Sequence, residues 1–310
     1  MAFLLCFCLG FLPKHTQATS TANAKEPIAT YRECTLTICY GYEDTAFSGQ
    51  RVLLYQVADV SAQFQYALRH TFASSGLRLN GVQTNGEWNT IRSTLEAYIL
   101  SSKVQPTEIG TTNDLGQVCF TGLKPGLYLA SGMQVSQDAS DYVFDSALIA
   151  LPGLGTDGLW QYEVSVAAKG ELLPPTDLDA EIQLKVLKLW KGDQGLTDRP
   201  KSIEVEIFCN GVCIDTVTLS EKNHWSYSWT TKEVDAGWNV VERNVPSGYV
   251  MTVEPRQTTF VITNTRSDQP TPPPAQTGDT TNVLLYMVLM FVSGSMLILL
   301  GITGKRRRYE

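Results

Sequence analysis

The chain has 310 residues, with 24 basic and 31 acidic side chains and a net charge of −7. Such an acidic surface repels nucleic acid and excludes a polyanion-binding role. The cysteines and the three isolated histidines have no zinc-ligand spacing, and there is no Gly-rich phosphate loop, HExxH helix or nucleophile elbow. Neither a metal nor a cofactor is expected, and turnover catalysis is not indicated.

In chain order, Met1 to Leu12 is apolar, and the polar stretch behind it ends in Ala22-Asn-Ala24, a small-residue cleavage pattern. Residues 1–24 therefore read as a signal peptide, and the missing charged n-region implies a true start upstream of Met1. Residues 25–170 follow as a first domain of short alternating strands, broken by turns such as Lys124-Pro-Gly126. Ile91, Leu95, Tyr98 and Ile99 recur at helical spacing after Asn89-Thr90, which predicts a helical insertion in a β-sandwich. Cys34 and Cys39 face opposite ways on one regular strand. Either could pair with Cys119, but not with the other. In Trp160-Gln-Tyr-Glu-Val-Ser-Val-Ala-Ala-Lys169, the residues Trp160, Tyr162, Val164, Val166 and Ala168 share one face. Lys169 falls on the other and is expected to meet solvent.

Residues 171–180, with Leu-Leu-Pro-Pro-Thr-Asp, read as a linker into a second strand-rich domain at 181–265. Strand parity is informative here, because side chains alternate faces with a period of two. Ile182, Leu184, Val186 and Trp190 share a face with Lys188, Trp238 and Val240 share one with Glu242, and Phe260 and Ile262 share one with Asn264. Each strand thus places one polar residue on its apolar side. An isolated buried charge is very costly, so these groups must be neutralised, paired or chemically consumed. Cys209-Asn-Gly-Val-Cys213 sits at a hairpin. A two-residue Asn-Gly turn sets Cys209 against Val212 and forms no disulfide, whereas a three-residue loop sets the two cysteines opposite each other.

Residues 266–275 are proline-rich, hence extended and stiff. Pro274-Ala-Gln-Thr-Gly-Asp279 comes next, then an apolar run at 283–302 and Lys305-Arg-Arg-Arg308. A run of about 20 apolar residues can cross a bilayer as a helix, and the basic cluster behind it holds that end in the cytoplasm. Removing both processed ends takes away five bases (Lys14, Lys305 and Arg306 to Arg308) and two acids (Asp279 and Glu310). The net charge moves from −7 to −10, and five cysteines remain.

The tail resembles the sorting signal of sortase substrates, Leu-Pro-any-Thr-Gly before a membrane span and a positive end, with Pro274-Ala275 replacing Leu-Pro. The resemblance makes Thr277-Gly278 the scissile bond. The sortase cysteine takes the Thr277 carbonyl as a thioester, and an amine resolves it, either a peptidoglycan precursor or a lysine of another subunit.

The second domain resembles Cna protein B-type domains throughout. Val186-Leu-Lys-Leu-Trp190, Arg199-Pro-Lys-Ser-Ile203, Thr218-Leu-Ser, Asn223-His-Trp-Ser-Tyr227, Trp238-Asn-Val-Val-Glu242, Val245-Pro-Ser-Gly-Tyr249 and Phe260-Val-Ile-Thr-Asn264 stand in that family's order. Trp238 replaces the usual tyrosine. The resemblance implies an intramolecular isopeptide bond between Lys188 and Asn264, assisted by Glu242. Desolvation would lower the lysine pKa and raise that of the glutamate, so that neutral Lys188 attacks the amide carbon while Glu242 polarises its carbonyl and relays protons.

The first domain is similar, more loosely, to SpaA-like pilin sandwiches through Val52-Leu-Leu-Tyr-Gln-Val-Ala-Asp59, Gly116-Gln-Val-Cys-Phe-Thr-Gly-Leu123 and Gly126-Leu-Tyr-Leu129. Its first strand carries no lysine, so no isopeptide bond is expected there. The segment ending in Lys169 resembles the pilin motif Trp-x-x-x-Val-x-Val-Tyr-Pro-Lys, with Ala167-Ala168 replacing Tyr-Pro, which would make Lys169 an inter-subunit acceptor. The expectation is an all-β chain of two Ig-like sandwiches in tandem. Its expected place is the wall or pilus of a Gram-positive cell, in contact with membrane only before sorting. Its expected partners are sortase, further pilin subunits or a peptidoglycan precursor. A singly anchored stalk or adhesin with a host-surface ligand is the alternative.

Overall fold

A computed structural model describes residues 26–173, 181–194, 199–233 and 237–267. The expected signal peptide, the Thr277-Gly278 cleavage site, the apolar run and the basic tail lie outside the described residues. So does most of each expected linker.

In the first sandwich, β1 (Cys34–Cys39) is the middle of a three-stranded sheet. It runs antiparallel to β5 (Gln117–Leu123) and parallel to β10 (Glu163–Ala167). The facing sheet has the order β9 (Ala147–Leu151), β6 (Gly126–Ala130), β2 (Arg51–Val60) and β3 (Tyr66–Leu68), and β4 (Glu108–Thr111) also pairs with β2. Leu36, Ile38, Val52, Leu54, Val118 and Phe120 fill the space between them. A side sheet joins β7 (Met133–Gln137), β8 (Ser140–Phe144) and β11 (Gly170–Leu172), so regular structure continues two residues into the segment read as linker.

Among the described residues the one long helix, α1 (Asn85–Ser102), begins earlier than Asn89-Thr90 suggested, because its signal is a capping box rather than the apolar stripe. Thr84 Oγ1 accepts from the Glu87 amide at 3.2 Å, and the Glu87 carboxylate accepts from the Thr84 amide at 2.9 Å. Ile91 and Leu95 pack on Tyr55, Val57, Leu127 and Leu129, so the outer side of the second sheet is covered and β2 is buried on both faces.

The second sandwich repeats the plan. One sheet has the order β15 (Ser226–Thr231), β12 (Ile182–Lys191), β18 (Thr259–Arg266) and β17 (Tyr249–Arg256), with β12 and β18 parallel. The other has the order β14 (Val212–Ser220), β13 (Ser202–Cys209) and β16 (Trp238–Glu242). The opposite face of α1 belongs to this half. Ala97 is fully buried in its core, and the Val253 amide donates to Thr94 Oγ1 at 2.9 Å. The described residues therefore form two β-sandwiches sharing one helix.

The 209–213 hairpin turns on Asn210 and Gly211, both at positive φ, which matches a two-residue turn. Cys209 pairs with Val212 and Cys213 with Phe208, so the candidate Cys209–Cys213 disulfide is not formed and both thiols are free. Cys34, Cys39 and Cys119 are free as well. Cys119 stands opposite Thr37, with Cys34 opposite Leu123 and Cys39 opposite Gln117.

Candidate functional site: a buried lysine, glutamate and asparagine

Three strands supply the site. Alternation along β12 turns Leu184, Val186 and Lys188 inward, and Lys188 is 2% exposed. In β18, Ile262 and Asn264 are both fully buried, and in β16, Val240 is fully buried and Glu242 is 3% exposed. The parallel register sets Lys188 beside Ile262 and Trp190 beside Asn264, so the lysine reaches the asparagine diagonally. Val205 pairs with Glu242 and brings that carboxylate across from the facing sheet.

The side chains form a row. Lys188 Nζ donates to Glu242 Oε2 at 2.6 Å, and Asn264 Nδ2 donates to Glu242 Oε1 at 3.0 Å. One carboxylate bridges the amine and the amide nitrogen. Burial pushes the Lys188 amine down to about 8, although the Glu242 charge and hydrogen bond oppose that shift. Glu242 thus meets the Asn264 amide end-on, which brings the carboxylate to the group it is expected to assist. Both of its oxygens are taken by nitrogen donors.

An aromatic wall closes one side. The Trp190 ring centroid is 4.7 Å from Lys188 Nζ, and Trp225 and Tyr249 pack edge-on against that ring at 5.3 and 5.2 Å. Beside them, Arg199 Nε and an Nη each donate at 2.7 Å to the buried Asp193 carboxylate, which also accepts from the Tyr249 hydroxyl at 3.0 Å. The Arg199 hydrogen bond holds the Asp193 carboxyl below its ordinary value. This cluster clamps the chain just past β12 to the start of β17. Sequence reasoning placed Trp190 on the apolar face but gave it no partner in the site. The signal available was its spacing of two from Lys188.

Two polar atoms here are buried without a hydrogen bond, Trp190 Nε1 and Asn264 Oδ1. Leaving such an atom unpaired costs about 1–3 kcal/mol, so each calls for a reason.

Residues 184–265 match the family model of the Cna protein B-type domain. The chain carries a Cna B-type domain. Its family match spans β12 to β18, and so covers Lys188, Glu242 and Asn264. No curated protein matches the chain. Among solved structures, it is similar to a single B repeat unit of the collagen-binding surface protein of Staphylococcus aureus, at 13% identity and a TM-score of 0.26, covering 76% of this chain and 98% of that one. It is also similar to the major pilin SpaD of Corynebacterium diphtheriae, at 14% and 0.30, covering 77% and 65%. A streptococcal ancillary pilin matches at 12% and 0.25, covering 76% of this chain and 63% of the pilin.

Lys169 lies away from this site, just past the edge strand β10. Its side chain is 57% exposed and pairs with Glu171 at 2.8 Å and Asp145 at 3.6 Å. The Glu171 hydrogen bond, followed by weaker contributions that include the Asp145 charge, raises its pKa. In the first sandwich, the positions that meet across the parallel β1 and β10 are Leu36 beside Val164 and Ile38 beside Val166. Among the described residues, the buried charged side chains Lys188, Asp193 and Glu242 all belong to the second half.

Proposed function

We propose that this chain is a structural protein of the Gram-positive cell surface whose Cna B-type domain locks itself with a Lys188–Asn264 isopeptide bond. The observation that carries the reading is the buried row of Lys188, Glu242 and Asn264, with one carboxylate bridging the nucleophile and the leaving nitrogen. The lysine and glutamate share one proton, and moving it from Nζ to Oε2 frees the amine without changing the net charge of a dry site. The amine then attacks Cγ of Asn264. Glu242 gives its proton to Nδ2 and takes one from the new amide nitrogen, the Cγ–Nδ2 bond breaks, and ammonia leaves. The reaction occurs once per chain, so it is self-modification rather than turnover. Because β12 opens the domain and β18 closes it, the bond joins two strands that already lie parallel and resists their separation under load.

Assembly by sortase is the second part of the proposal. Thr277 would supply the acyl group and Lys169 the amine, which makes the chain a pilus shaft subunit joined to other subunits or, through a peptidoglycan precursor, to the wall. The exposure of Lys169 supports the acceptor role. Its pairing with Glu171 and Asp145 favours the alternative, a singly anchored stalk or adhesin, because a lysine held protonated beside an edge strand also discourages strand-to-strand aggregation. Tandem mass spectrometry of a tryptic digest tests the first part, which requires one branched peptide containing both Lys188 and Asn264.

A further inference from the structure

Layers of side chain stand between the Lys188 amine and solvent. The Trp190 ring centroid lies 4.7 Å from Nζ, Tyr249 packs edge-on against that ring at 5.2 Å, and the Arg199 guanidinium carbon is 5.5 Å from the ring centroid. One carboxylate joins the outer pieces. Asp193, whose side chain has no exposed surface, accepts two hydrogen bonds from Arg199 and one from the Tyr249 hydroxyl. Arg199 reaches solvent, with 36% of its side chain exposed, whereas Tyr249 is 8% exposed. A buried ion pair is a weak source of stability but a directional one, because the guanidinium fork meets a carboxylate in one plane and fixes the pieces it joins. Here those pieces are the residues just past β12, the chain entering β13 and the first residue of β17. The charged group bonded to Lys188 is Glu242, and beyond the ring lie the Asp193–Arg199 pair and Arg266, 5.2 Å from the Tyr249 ring. On the strands around them, Glu204, Glu206 and Glu254 are engaged in ion pairs with Arg243 and Arg256.

We propose that Asp193 and Arg199 are positioning residues of the self-crosslinking reaction, whose ion pair holds Trp190 and Tyr249 over Lys188 and keeps water from the amine. The proposal rests on the isopeptide reading above. Both residues act through the two rings and exchange no bond or proton in the reaction. A dry amine gives its proton to Glu242 more readily than a wet one, because water favours the ammonium. Each unit by which water raises the Lys188 pKa makes the neutral pair about tenfold rarer.

The test uses full chain freshly synthesised in an extract, trapped unfolded in urea and diluted with mild detergent into buffers from about pH 6 to about pH 10. The Lys188–Asn264 branched peptide is scored over time, and tryptophan fluorescence reports folding. Arg199→Gln removes the fork and leaves the rings. Cross-linking is expected to slow about tenfold or more, and the pH above which the rate falls is expected to rise from about 8 by roughly one unit. Arg199→Lys keeps the charge without the fork, is expected to move both readings in the same direction, and decides the matter where Arg199→Gln does not fold. Thr94→Val, away from the site, is the control for lost stability and is expected to leave that pH where it is. A folded Arg199 variant with the wild-type rate and pH would overturn the proposal and leave the isopeptide reading intact. Slowing with an unmoved pH, or an equal shift in Thr94→Val, would overturn it too, since lost stability would then be the cause. If the wild-type chain never forms the branched peptide, the isopeptide reading fails and this inference falls with it.

Discussion

The Val253 amide donates to the Thr94 hydroxyl at 2.9 Å, tying an edge strand of the Cna B-type domain to a helix of the preceding sandwich. Edge strands expose unpaired backbone groups that recruit other chains, and here α1 covers one of them. The covered strand β17 pairs with β18 so that Met251 stands opposite Asn264. The helix is thus one strand removed from the proposed cross-link, and the first sandwich supports the second.

Replacing Thr94 by valine keeps the side-chain volume but leaves the Val253 N–H buried without an acceptor. An unpaired buried donor costs about 1–3 kcal/mol, so Thr94→Val is expected to lower stability by that amount in urea unfolding, whereas Thr94→Ser retains most of it. Equal stability of Thr94→Val and wild type would show that this contact does not join the halves.

The depressed lysine gives the reaction a pH dependence of definite sign. Below about 8, the Lys188 and Glu242 pair holds the one proton that the relay needs; above it, the amine loses that proton to solvent and the carboxylate has none to give. The rate of ammonia release in freshly synthesised chain is expected to be level below about 8 and to fall above it. A rate that climbs through this region would mean that only the free amine matters and would remove Glu242 from the proton path.

Lys169 separates a polymer from a single anchored chain. In wall extracts from cells carrying a pilin-type sortase, Lys169→Ala and Lys169→Arg are both expected to abolish the ladder on denaturing gels while leaving anchored monomer. Arg keeps the charge beside Glu171 and Asp145 but offers no acyl-accepting amine, so a surviving ladder in either variant would assign the junction to another residue.

What the sequence disclosed, and what it hid, follows from the physics of each element. Strand parity has a strict period of two, so the inward positions of Lys188, Glu242 and Asn264 could be read directly, as could the exposure of Lys169. The second role of α1 could not. Ile91 and Leu95 make an ordinary apolar stripe, but the face packed on the Cna B-type domain carries Thr94, Ala97 and Leu100, of which the polar Thr94 and the small Ala97 read as solvent-facing. The start of that helix was carried by Thr84 and Glu87, outside the apolar pattern. At Cys209 and Cys213, both turn lengths were compatible with Asn-Gly, and the pairing with β13 decided between them. Which atom of Asn264 faces Glu242 is a matter of rotation within one side chain, and no sequence pattern encodes it.

The most direct test is the intact mass of the mature chain expressed without a sortase. The wild-type protein is expected to weigh less than its sequence by one ammonia, and Glu242→Ala to return it to full mass, because removing the bridge between Lys188 and Asn264 removes the proton path. A wild-type chain at its full sequence mass would contradict the account.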